Sequence, residues 1–103
     1  MRLKVMPDYG CYPLWSDVRL GDVDPSSLPL SDGLVADLLE WSDFFDSKLV
    51  WDDPASTHWS KEEAVSFNAL GERLTARMAE ELGPGYAVRY FQVISESDDE
   101  PRG

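Results

Sequence analysis

The stretch from Leu28 to Trp51, LPLSDGLVADLLEWSDFFDSKLVW, constrains the fold of this chain more than any other. Leu34, Leu38, Trp41, Phe45 and Leu49 follow at steps of four, three, four and four, which keeps them on one stripe of a 3.6-residue helix. Val35 and Leu39 widen that stripe. Ser31 stands where a helix needs an N-cap, its hydroxyl free to accept an orphan backbone N–H. Leu30 and Val35 occupy the two positions of a hydrophobic staple, and Asp32 sits in the first turn, where the helix dipole favours an anion. Glu40, Asp43 and Ser47 point away from the stripe, with Asp37 and Asp46 along its margins. One segment thus predicts a buried apolar face and an exposed acidic one.

A second helix follows Asp53-Pro54, where Pro54 prevents the first from continuing. Ser60-Lys61-Glu62-Glu63 is a capping box, and Ala64, Phe67, Gly71, Leu74, Met78 and Leu82 then recur at helical spacing. Gly71 is out of place on that inner face, because a mid-helix glycine costs about 1 kcal/mol relative to alanine. Its presence predicts the close approach of another backbone or of a tryptophan ring. Gly83-Pro84 ends the helix, with Gly83 free to take a left-handed cap. The two helices are expected to pack antiparallel.

Strand signals lie at the two ends. Arg2–Met6 (RLKVM) alternates, with Leu3 and Val5 facing the core. Cys11–Trp15 (CYPLW) is a candidate second strand, confined by Pro13 to an edge or to irregular structure. Tyr86–Ile94 (YAVRYFQVI) is the strongest strand, with Tyr86, Val88 and Tyr90 toward the helices and Arg89 in solvent. The segment from Ser16 to Leu30 reads as loop, with one short helical turn started by Asp24-Pro25. The fold class that follows is α/β (α+β). A two- or three-stranded sheet of the N- and C-terminal strands is covered on one face by two antiparallel helices. If the second strand forms, the terminal strands pair parallel; without it, antiparallel. Residues 1–94 make a single compact domain, and 95–103 a disordered acidic tail.

Composition narrows the function classes. Twenty acidic against nine basic residues give a net charge of −11. That field repels nucleic acid and anionic membranes, and it attracts basic proteins. Its plainest role is solubility, but most of the acids lie in the body of the chain. No apolar run approaches the about 18 residues of a membrane span, and the N-terminus lacks the apolar centre of a secretory signal. One cysteine, Cys11, excludes an internal disulfide, and a cytoplasmic bacterial protein is the simplest expectation.

No pattern specifies catalysis, a cofactor or a metal. His58, the only histidine, has cap and turn residues as neighbours, and Cys11 has no nearby cation in sequence to activate it. Asp43, Asp46, Asp52 and Asp53 lack the alternation of a calcium loop, and so do Asp17, Asp22 and Asp24. Among the tryptophans, Trp41 belongs to the core and Trp59 is expected to fold back on it. Trp15 and Trp51 each stand within two residues of an aspartate. They either close the ends of the core or serve as anchors for an Arg- or Lys-rich partner.

KVMPDYGCYPLW, LPLSDGLVADLLEW, WDDPAS and FNALGERLTARMAEELGPGYAVRY together resemble a family of small acidic bacterial proteins of actinobacterial type. These are similar in turn to immunity proteins of polymorphic or contact-dependent toxin systems. The resemblance covers most of the chain except the tail. It implies a preorganised inhibitor, not an enzyme, that covers the basic active-site surface of a toxin with carboxylates. The expected contact is Asp43, Asp46, Trp51, Asp52 and Asp53. The alternative is a non-inhibitory interaction module, such as a homodimer paired through the sheet face near Arg89 and Phe91.

Overall fold

The computed structural model of the protein describes residues 1–18, 21–49 and 58–96. The chain runs β1 (Arg2–Val5), β2 (Leu14–Ser16), β3 (Asp22–Val23), a single 3-10 turn (Pro25–Ser27), α1 (Asp32–Ser47), α2 (Lys61–Leu82) and β4 (Ala87–Tyr90). The strands form one sheet in the order β3-β2-β1-β4. β1 pairs antiparallel with β2 and parallel with β4, in the register Leu3↔Ser16 and Leu3↔Val88. The second strand does form, and the parallel closure of the terminal strands follows from it.

Three details of the sheet differ from expectation. β2 starts at Leu14 rather than Cys11, because Pro13 has no N–H to give the ladder. Pro13 instead accepts the Met6 N–H at 2.9 Å, and Cys11 closes a turn onto the Asp8 carbonyl. The segment read as loop also contains β3. Two residues are too few to show any period, yet Val23 is buried opposite Leu14 while Asp22 pairs with Trp15 on the outer face. β4 is shorter than the nine-residue run suggested. Beyond Tyr90 the chain leaves β1 once Phe91 has bonded to the Val5 carbonyl.

The core is one cluster shared by both layers. Leu3, Val5, Leu14 and Val23 from the sheet meet Leu34, Leu38, Trp41 and Phe45 of α1 and Phe67, Leu74 and Met78 of α2. Leu49, the last member of the predicted stripe, falls beyond the helix. A ladder of contacts shows α1 and α2 to be antiparallel. Ser31, the N-cap of α1, donates its N–H and hydroxyl to Glu81 near the end of α2. Arg77 reaches Asp37 at 2.7 Å, Trp41 stacks on Phe67 at 4.4 Å, and Lys48 bonds Glu63 at 2.9 Å. The capping box is complete, with Ser60 accepting from Glu63 N–H while Glu63 accepts from Ser60 N–H.

Gly71 is where the layers touch. A Cβ there would overlap the Tyr90 ring and stand 2.7 Å from Cζ2 of Trp41. The close neighbour anticipated from sequence is thus two rings, one from each layer. One turn earlier, buried Asn68 satisfies its whole amide. It donates to the Ile94 carbonyl and to Glu96, and accepts the Tyr90 hydroxyl at 2.6 Å. Burial, with Glu72 and Glu96 nearby, pushes the Tyr90 phenol well above its ordinary range. The chain is therefore held to α2 as far as Glu96, and 97–103 lie outside the described residues. Gly83 ends α2 with a φ of 80°, positive as foreseen, but with extended ψ rather than the left-handed helical value.

Candidate functional site

The turn between β1 and β2 is laid against the second half of α1. Tyr9 stacks on Phe45 with centroids 4.5 Å apart. Gly10, which turns with a φ of 71°, donates its N–H to Asp46 at 3.2 Å, and the buried Ser42 hydroxyl donates to the Cys11 carbonyl at 3.4 Å. β3 supplies the third wall, as Asp22 accepts the Tyr12 N–H at 2.6 Å. Between these elements lies an open recess of about 380 Å³, lined by Gly10, Cys11, Tyr12, Asp22, Leu39, Ser42, Asp43 and Asp46.

Three carboxylates converge on this recess, and none is paired with a cation among the described residues. Asp22 and Asp46 each engage one backbone N–H, so each keeps acceptor capacity to spare. Asp43 is exposed on the outward side of α1. The Cys11 thiol registers the resulting field. Partial burial raises its pKa first, and Asp8, Asp22 and Asp46 raise it further. A raised pKa lowers the thiolate fraction, the reactive form of a cysteine. His58 is exposed and stands outside the recess. Among the described residues no three His, Cys, Asp or Glu side chains are grouped as a metal site.

Of the contact residues expected from sequence, Asp43 and Asp46 come together here. Trp51, Asp52 and Asp53 lie outside the described residues. Asp22 was not expected to join them. The acidic loop signal was present, but its members separate on folding. Asp17 goes to Arg2 at 3.9 Å, Asp24 caps the 3-10 turn through Ser26, and only Asp22 faces the recess. The remaining tryptophans are accounted for by packing. Trp41 is buried and donates to the Phe67 carbonyl at 3.0 Å. Trp59 folds back onto Phe44, Phe45 and Phe67. Trp15 lies half-buried on the outer sheet face and donates to the Met6 carbonyl.

The distribution of charge around the recess is not even. α1 carries Asp32, Asp37, Glu40, Asp43 and Asp46 and no basic residue. Of these only Asp37 has a basic partner among the described residues, Arg77. The outer face of the sheet is the reverse. The register sets Lys4 beside Arg89, with Arg2 one step along β1. Among the described residues no helix is long and apolar enough to cross a membrane.

Fold and recess together define a small α+β domain that gathers Asp22, Asp43 and Asp46 where β3 and the β1–β2 turn meet α1. The chain belongs to the Serratia CdiI immunity protein-like family, whose model matches residues 1–93. That range includes every element from β1 to β4. Among curated proteins, none matches the sequence. Membership places the role of the chain in toxin immunity.

Proposed function

We propose that the protein neutralises a cognate bacterial toxin by laying the acidic side of α1, and the segment that follows it, over a basic surface at the toxin's active site. The observation that supports this reading best is the convergence of Asp22, Asp43 and Asp46 on one recess with no cation among them. Holding like charges together costs stability unless a partner compensates. A toxin that handles phosphates offers Lys and Arg in compensation, and carboxylates stand in for those phosphates. Long-range attraction between a −11 chain and such a cleft speeds encounter, and is screened beyond about 8 Å at physiological salt. Asp52 and Asp53 enter as further carboxylates and Trp51 as an aromatic anchor on sequence grounds, since all three lie outside the described residues.

Self-association through the sheet face has physics against it. A two-fold contact there would set Arg2, Lys4 and Arg89 against their own copies.

The test is association with the toxin domain encoded beside this chain. Binding and inhibition are expected, with affinity falling as salt rises. Asp43→Lys should slow association while leaving the fold intact, since Asp43 is exposed and holds no structural bond. A complex indifferent to both salt and Asp43→Lys would sink the electrostatic reading.

A further inference from the structure

The recess occupies one flank of α1. The other flank, toward α2, carries a groove of about 370 Å³ with almost wholly apolar walls, formed by Trp41, Phe44, Ser66, Phe67 and Leu70. Helical geometry puts Glu40 and Asp43 on the crest between the two. Glu62 and Glu63 close the groove on the α2 side. Its floor, Trp41 and Phe67, belongs to the core, but its apolar rim does not. Phe44 is 44% exposed, Leu70 38% and the adjoining Val65 41%, while the inward stripes of both helices are filled by other residues. An apolar centre inside a charged rim is the anatomy of a protein–protein contact, in which a few desolvated anchors carry most of the energy.

We infer that this groove is the anchor pocket of the toxin interface. It receives an aliphatic or aromatic side chain borne on a Lys- or Arg-rich segment, whose cations reach Glu40, Asp43 and Glu62. The inference rests on the proposed immunity function and adds the contact that holds the complex once charge has brought the partners together.

Charge complementarity selects this occupant. A second copy docking by two-fold symmetry would bring Glu40, Asp43 and Glu62 against the same carboxylates. Glu63 is already engaged by Lys48 at 2.9 Å, and Lys61 lies toward Val65 at the outer end. Glu40, Asp43 and Glu62 have no cation within bonding distance among the described residues. The groove is also firmly built. Phe44 meets Trp59 edge-on at 5.7 Å and Phe67 at 6.2 Å, and Trp41 is stacked and hydrogen-bonded from behind. A pocket whose walls are set in advance loses little freedom when it is filled.

The experiment measures association and dissociation of the toxin domain encoded beside this chain, at several salt concentrations. The proteins are the parent, Leu70→Ser, Phe44→Ser and Asp43→Lys. Leu70→Ser and Phe44→Ser are each expected to raise the dissociation rate about tenfold or more and to keep the parent's salt dependence. Asp43→Lys should instead slow association and flatten that dependence. Leu70 is exposed and outside the core cluster, so its variant stands as the control if Phe44→Ser loosens the fold. If both apolar variants bind like the parent while Asp43→Lys weakens binding, the groove lies outside the interface and the acidic reading survives alone. If Leu70→Ser leaves toxin binding untouched but splits a dimer, the groove belongs to a second copy and the inference is overturned. If no complex forms with the parent, the immunity reading falls and takes this one with it.

Discussion

The two outer faces of the molecule make opposite use of charge. The helix face sets carboxylates along α1 and keeps them apart from cations, and only Asp37 is neutralised, by Arg77. The open sheet face runs Asp22, Trp15, Lys4 and Arg89 in one cross-strand row, so that two like charges stand side by side. Lys4 relieves part of that by lying over the Phe91 ring at 5.0 Å. A surplus that served solubility alone would have no reason to sort itself this way. The contrast shows that the net charge is an average over a polarised molecule.

The largest expected effect tests the joint on which both faces depend. Gly71→Ala gains about 1 kcal/mol of helix propensity but drives a methyl into the Tyr90 and Trp41 rings. Overpacking typically costs about 1–3 kcal/mol, occasionally more. A net loss of about 1–2 kcal/mol is expected by urea denaturation, with Gly71→Val worse. Gly33→Ala, where nothing lies within 4 Å, should stabilise.

Charge reversal on each face sharpens the contrast directly. Asp43→Lys is expected to weaken toxin binding about tenfold at low salt, about 1.4 kcal/mol. Arg89→Glu should leave it unchanged or slightly tighter. Equal losses from both variants would break the distinction between the faces. Arg89→Glu should also stabilise the fold by about 0.2–1 kcal/mol, because it turns a like-charge cross-strand neighbour of Lys4 into an opposite one.

The smallest effect is on acid stability. Bonds from Lys48, then from the Ser60 N–H, hold Glu63 below its ordinary pKa, and the Ser31 N–H and hydroxyl do the same for Glu81. A carboxylate with a lowered folded pKa contributes stability that is complete above the unfolded value, about 4.3. That contribution is lost as pH falls through the folded value. Glu63→Gln and Glu81→Gln should each flatten the decline of unfolding free energy below about pH 4.5.

Helix identities, both N-caps, the buried stripes and the crowding at Gly71 were legible in sequence, because each depends on residues within a turn or two of one another. The sheet was legible in its ends, since alternation marks β1 and β4. β3 was not, because two residues carry no period and are held only by pairing with Leu14 and Trp15. The acidic site was half legible. Spacing put Asp43 and Asp46 outside the core stripe, but only tertiary folding brings Asp22, more than twenty positions earlier in sequence, to the same recess. The groove escaped for a different reason. Phe44 and Leu70 sit on the shoulders of their helices, and apolar shoulders look like the margins of a core until the partner helix is in place.

The parallel pairing of Arg2–Val5 with Ala87–Tyr90 bears on when the protein can act. β1 must wait for β4, at the other end of the described fold, before its open side is covered. Contacts so distant along the chain close late and slow the search for the native state. A nascent chain lacking residues 87–90 has both helices but no strand to seat the Tyr90 ring over Gly71. The fold that carries the acidic helix therefore closes only after residues 87–90 have joined the sheet.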